Sequence, residues 1–189
     1  MEHSPADSPP LSSRTRREAV IFDVDGTLCD VRSIRHLVAG VAGATSAGVA
    51  TAGTMPGGGV RFKANFDAFH GASIDCPPHP RVVEVLQEAQ AEGRVVLVVT
   101  GRSEKWSFVT TLWMQEHGIS FDELMMRPSG DFRPDSVVKS EIAQRILARY
   151  RPVLALDDRD DIIAVWHAAG IPTRKVTLDG EVLAVVVPG

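Results

Sequence analysis

The chain has 189 residues, 44% of them hydrophobic and 23% charged, with a formal net charge of −4. That length accommodates one sizeable core, and no apolar run approaches the ~20 residues that a membrane helix needs. The acidic balance excludes the global basic field that drives sequence-independent binding to long duplexes, so any nucleic-acid contact has to be local.

Residues 1–18 are rich in Pro and Ser and carry Arg14, Arg16 and Arg17 without the apolar core of a secretory signal. They read as a disordered tail ahead of a single domain over 19–189. Val20, Ile21 and Phe22 are β-branched or aromatic, as in a buried strand, and deliver Asp23 and Asp25 two apart, on one side of an extended backbone. Carboxylates that close repel each other and cost desolvation energy, which a divalent cation would offset. The plainer reading of Asp-Val-Asp-Gly-Thr is a tight turn with a capping Asp.

Residues 31–52 read as a helix of uncertain length, broken by the Pro and Gly run at 54–59. Phe66, Phe69 and His70 lie at helical spacing, and the Pro-rich stretch 76–80 reads as a rigid connector. The periodicity then predicts a helix over 81–92 stopped by Gly93 and a buried strand over 94–99. Helices over 103–117, 136–150 and 160–169 alternate with strands over 124–126 and 153–156, and strands over 173–176 and 182–187 follow. This alternation predicts an α/β fold: a parallel sheet with helices on both faces and a ligand site at the carboxyl ends of the strands.

The polar motifs fall at those ends. Thr100, Gly101 and Arg102 follow the run 95–99 and offer a hydroxyl, a backbone open to close approach and a planar cation suited to phosphate. Thr100 alone could equally cap the next helix. Asp135 and Lys139 stand four apart, a spacing that is usually a solvated helix pair. Asp157, Asp158, Asp160 and Asp161 follow a buried strand, where acids also suit a helix start. Carboxylates, a hydroxyl, a lysine and carboxylates again at successive strand ends are hard to assign to chance. Cys29 and Cys76, the only cysteines, lie in no C-x-x-C or His-paired pattern, so a reduced, cytoplasmic setting is the default expectation.

Asp23-Val-Asp25-Gly-Thr27, Thr100, Lys139 and Asp157-Asp158 together resemble the four ordered motifs of the haloacid dehalogenase superfamily of phosphotransferases. More closely, Val-Thr-Gly-Arg102, Asp135-Ser-Val-Val-Lys139 and Leu-Asp157-Asp158-Arg159 resemble the 3'-phosphatase domain of phage-type polynucleotide kinase-phosphatases. No G-x-x-x-x-G-K-[ST] loop occurs, so the kinase half of such enzymes is absent from this sequence. The resemblance implies a Rossmann-like fold with a minimal cap or none. It also implies an Mg2+-dependent phosphohydrolase in which Asp23 is the nucleophile and Asp25 the general acid and base, with a raised pKa.

It further implies that Asp23, the backbone carbonyl of Asp25, and Asp158 hold the metal, with Asp157 behind or exchanged with Asp158. Thr100 and Lys139 would hold phosphate oxygens, Arg102 would grip a phosphate, and Asp135 would orient Lys139. Thr27 and Gly101 would line the substrate. That family places a functional arginine after the first strand, and Arg32 and Arg35 both qualify. Asp161 would orient a metal-bound water or merely begin a helix.

The substrate stays open between the 3'-phosphate of a polynucleotide end and a mononucleotide. Arg61, Lys63, Phe66 and Phe69 could bind backbone and stack a base, although packing and solvated charge are the more ordinary reading. A fold-retaining nucleic-acid-binding module without chemistry, and a mutase, rank lower. A separate kinase or ligase partner is compatible with the missing kinase half, and oligomeric state is not legible.

Overall fold

The computed structural model describes residues 16–38 and 65–189. The expected tail up to residue 15, the Gly-rich break at 54–59, and Arg61 and Lys63 lie outside the described residues. Strands β1 (Glu18–Phe22), β2 (Val95–Ser103), β3 (Glu123–Arg127), β4 (Arg151–Asp157), β5 (Thr173–Val176) and β6 (Val182–Val186) form a six-stranded sheet in the order β3-β2-β1-β4-β5-β6. The helices are α1 (Phe66–Ala72), α2 (Pro80–Ala91), α3 (Ser107–Glu116), α4 (Asp135–Arg149) and α5 (Asp160–Ala168).

Alternation along β1 and β2 sorts side chains onto two cores. Val20, Phe22, Val96 and Val98 pack with Val82 and Leu86 of α2 and with Trp113 and Met114 of α3. Ala19, Ile21, Leu97 and Val99 pack on the other face with Ile142 and Ile146 of α4 and Ile162 and Trp166 of α5. Both faces of the central strands are therefore covered, which is why their sequences read as continuous apolar runs.

β1 pairs parallel with β2 and β4, β2 with β3, and β4 with β5. The expected parallel sheet is present, with one exception at its edge, where β6 runs antiparallel to β5. The reason is local. Thr177 and Glu181 close a short turn in which Gly180 takes a φ of 82°, and so short a link returns a strand only antiparallel. The helix expected from 103 starts as α-helix at Ser107, because β2 runs on to Ser103 and a 3-10 turn, Glu104–Trp106, intervenes. After β1 the described part of the expected helix is a 3-10 helix, Arg32–Leu37. No helix among the described residues is long and apolar enough to cross a membrane.

Candidate active site

β1 ends inside the molecule, and its last turn is tied to β4 by the Asp23 N–H, which donates to the Leu156 carbonyl at 3.1 Å. The chain then turns through Gly26 at φ 88°. A Cβ there would stand 2.5 Å from Asp158 Oδ2, so only glycine lets the turn lie against that carboxylate. Asp23, Asp157 and Asp158 consequently each bring one oxygen within 4.8 Å of the others.

Lys139, fully buried on α4, lies against this acidic cluster. Its Nζ donates to Asp23 Oδ1 at 2.7 Å and to Asp157 Oδ2 at 3.0 Å, with Asp135 Oδ2 at 3.8 Å. The solvated helix pair that the spacing of Asp135 and Lys139 allowed is therefore absent, since both are buried. Asp157 is also fully engaged: Trp166 Nε1 donates to its Oδ2 at 3.4 Å and the Arg159 N–H to its Oδ1 at 3.2 Å. Asp158 differs. Its Oδ2 accepts from Arg35 at 3.3 Å, while its Oδ1 is buried without a hydrogen-bond partner.

Burial pushes the Asp23 carboxyl well up, as do Asp157 and Asp158, against the pull of Lys139. Burial and Asp157 raise Asp158 to about 6. An orphaned oxygen and carboxyls that resist ionisation form an all-oxygen donor set that fits a hard divalent cation.

Asp25 departs from its expected state. Arg102 grips it in a fork, Nε to Oδ2 at 2.8 Å and Nη2 to Oδ1 at 2.6 Å, and Thr110 accepts from Nη1 at 3.1 Å. Burial pushes Asp25 up, but the charge and hydrogen bonds of Arg102 outweigh it, and the carboxyl ends below its ordinary value. The raised pKa expected of a general acid is absent here because Arg102 is buried on Asp25 instead of facing a phosphate. His70 of α1 lies beside Asp25, its Nδ1 3.8 Å from Oδ2, but burial holds the imidazole down to about 4, so it stands there as a neutral ring.

The other expected residues lie as follows. The Thr100 hydroxyl accepts the Arg102 N–H at 3.2 Å and does not cap α3, whose N-terminus has no side-chain cap. Thr27 is buried with its hydroxyl unpartnered. Gly101 backs onto Asp135, whose Oδ1 would lie 2.5 Å from a Cβ there. Arg35 reaches Asp158, whereas Arg32 is held by Asp30 and Asp179 away from the cluster. Asp161 pairs with Arg159 in the first turn of α5, a helix start. Phe69 is buried in the core, as the packing reading has it.

Three residues to which the sequence assigns no site role also take part. Arg127 donates to Gly101 O at 2.8 Å, Arg133 O at 2.6 Å and Asp135 Oδ1 at 3.2 Å, locking the loop after β3 to the end of β2. Its one sequence signal is an arginine closing an apolar strand. Arg159 holds Asp135 from the other side at 3.3 Å. His70 reaches Asp25 across a long sequence gap that no local pattern bridges.

A family model described as the polynucleotide kinase PNKP phosphatase domain matches residues 53–180. The match takes in Thr100, Lys139, Asp157 and Asp158 and begins after Asp23 and Asp25. Among solved structures, one chain of the Pnkp1/Rnl/Hen1 RNA repair complex is 22% identical, over 86% of this chain and 43% of that one, with a TM-score of 0.64. A second structure of the Pnkp1/Rnl/Hen1 complex gives 22%, 87%, 47% and 0.65. A class C acid phosphatase from Bacillus anthracis with tungstate bound gives 13%, 79%, 55% and 0.51. The chain thus spans under half the length of the two repair-complex chains, and at these identities the likeness is one of fold.

Proposed function

The chain belongs to the phosphatase-domain family of polynucleotide kinase PNKP and is a phosphoric monoester hydrolase of the haloacid dehalogenase superfamily; from that premise we propose that it removes the 3'-phosphate from polynucleotide ends through an aspartyl-phosphate on Asp23. The observation that carries this reading is the pinning of Asp23 by the buried Lys139 at 2.7 Å beside the unpartnered Asp158 oxygen. A buried carboxylate fixed in orientation is a nucleophile that needs no reorganisation, and the cation that fixes it also opposes charge on an incoming phosphoryl group.

In the first displacement Asp23 attacks phosphorus, the bond to the leaving oxygen breaks, and Asp25 gives that oxygen a proton. In the second, water attacks phosphorus, Asp25 takes the water's proton, and the bond to Asp23 breaks. Lys139 and the hydroxyl of Thr100 hold non-bridging oxygens. Arg102 is the hinge of the proton step. A phosphate that draws Arg102 away from Asp25 leaves burial dominant there, and the carboxyl rises until it holds a proton. Asp157 and Asp135 keep Lys139 aimed, and Arg35 meets the substrate beside Asp158. Mg2+, held by Asp23, Asp158 and the Asp25 carbonyl, would supply further neutralisation of phosphate charge.

On this reading residues 19–189 form one phosphatase domain, and a separate kinase or ligase would complete end healing. A mononucleotide phosphatase is the second reading, favoured by the net charge of −4. The deciding assay is phosphate release, with Mg2+, from 3'- and 5'-phosphorylated oligonucleotides and free 3'- and 5'-mononucleotides, with Asp23→Asn as control. Preference for the 3'-phosphorylated oligonucleotide supports the proposal. Equal or better turnover of mononucleotides moves the function to nucleotide metabolism, and full activity of Asp23→Asn removes the covalent mechanism.

A further inference from the structure

The most exposed large hydrophobic side chains among the described residues are Phe108, 75% exposed, and Phe132, 72% exposed. Both belong to segments that follow strands ending at the site. Phe108 lies in the first turn of α3, two residues before Thr110, which accepts from Arg102 at 3.1 Å. Residues two apart on a helix face nearly opposite ways, so the contact that turns Thr110 inward turns Phe108 outward.

Phe132 sits between Asp131 and Arg133, whose carbonyls both accept from Arg127 Nη1, at 3.4 and 2.6 Å. The same guanidinium holds the carbonyl of Gly101 at 2.8 Å. The loop bearing Phe132 is therefore clamped one guanidinium away from the residue next to Thr100. The two segments also touch each other: Ser103 Oγ and Ser129 Oγ are 3.5 Å apart, and the Ser129 N–H donates to Glu104 at 3.4 Å.

Building on the proposed action at polynucleotide ends, we infer that Phe108 and Phe132 are stacking platforms for the last bases of a single-stranded, 3'-phosphorylated polynucleotide. Aromatic rings accept any base on their flat faces, so they would bind single strands without sequence preference. The rings belong to two separate segments, α3 and the loop after β3, and two side chains alone fall well short of the area that a stable contact with a second protein copy needs. Among the described residues, the cations beside the rings in sequence are paired within the protein, Lys105 with Asp67 and Arg133 with Asp131 and Glu141. Attraction of the phosphate backbone is correspondingly blunted, and base faces carry the binding, with little dependence on salt. The stacking surface thus lies beyond β2 and β3, and Phe69, a candidate in the sequence, is core.

The test compares kcat/KM on a single-stranded 3'-phosphorylated octanucleotide with kcat/KM on a 3'-mononucleotide, for the wild type, Phe108→Ala, Phe132→Ala and the two Phe→Trp variants. Each Ala variant is expected to lower the oligonucleotide-to-mononucleotide ratio about five- to tenfold through KM, and each Trp variant to restore it. A wild-type preference for the oligonucleotide that survives both Ala substitutions overturns the stacking role alone. Absence of that preference in the wild type overturns the reading beneath it. A change of sedimentation mass in either Ala variant would assign the rings to a second copy of the chain and overturn the inference as well.

Discussion

The two flanks of Asp23 are built on opposite principles. On one, Lys139, Asp157 and Asp135 are buried and saturated: Asp157 spends both its oxygens on Lys139, Trp166 and the Arg159 backbone. On the other, Arg102 and Asp25 are also paired, but the Asp25 side chain stays 20% exposed. The difference teaches that one ion pair is closed to water on both sides while the other keeps an open edge, the edge at which the proposed mechanism exchanges Arg102 for a phosphate. Burial of the cation alone does not distinguish them, because both Lys139 and Arg102 are sealed.

Substitution breaks this contrast most sharply at the cations. Lys139→Ala leaves Asp157 and Asp23 buried without their cation, and a loss of about 3–5 kcal/mol in urea unfolding is expected, together with loss of turnover. Arg102→Ala leaves a carboxylate that water reaches, and the cost is expected at about 1–3 kcal/mol. Equal costs would show that the flanks do not differ.

Asp158 sharpens the comparison from between them. Its folded pKa of about 6 lies above the ordinary 3.8, so the folded protein binds more protons in that window. Stability of the metal-free protein therefore falls as pH rises from about 4 to 6 and stays lowered above. Asp158→Asn removes the penalty: a gain of about 2–3 kcal/mol is expected above pH 7, and none below pH 4. Mg2+ should raise the Tm of the wild type and leave that of the variant unmoved. A Tm rise of the same size in both would take Asp158 out of the ligand set.

The smallest effect concerns the two arginines after β1. Arg35→Ala is expected to lower kcat/KM roughly tenfold, about 1.4 kcal/mol, and Arg32→Ala to stay within about twofold, because its partners Asp30 and Asp179 lie off the site. Steady-state kinetics of the pair decides, and a reversed order would move the substrate contact to Arg32.

Much of this was legible in the chain because strand ends carry a composition signature. Apolar runs at Val20 and Val95 announced buried strands, and Asp23, Asp157, Asp158 and Lys139 do converge. What escaped has a common cause: side-chain partners are chosen in three dimensions. Nothing near Arg102 in sequence shows that Asp25 will take both arms of its fork, so the direction of the Asp25 pKa was misread. The contacts of Arg127 and the place of His70 beside Asp25 were hidden for the same reason, since each lies against a segment remote in the chain. Exposure was equally hidden: Phe69 and Phe108 both sit on helices among apolar neighbours, yet one is core and the other faces water.

The close approach of two backbones to carboxylates has a consequence for variation. Any side chain at Gly26 would meet Asp158, and any at Gly101 would meet Asp135, both at 2.5 Å. A saturation library of this protein should therefore show two fully intolerant positions that carry no functional group, each shadowing an acid elsewhere in the chain. Tolerance at Gly101 ought to return when Asp135 is shortened, whereas Gly26, which also needs φ 88°, would stay closed to every other residue even then.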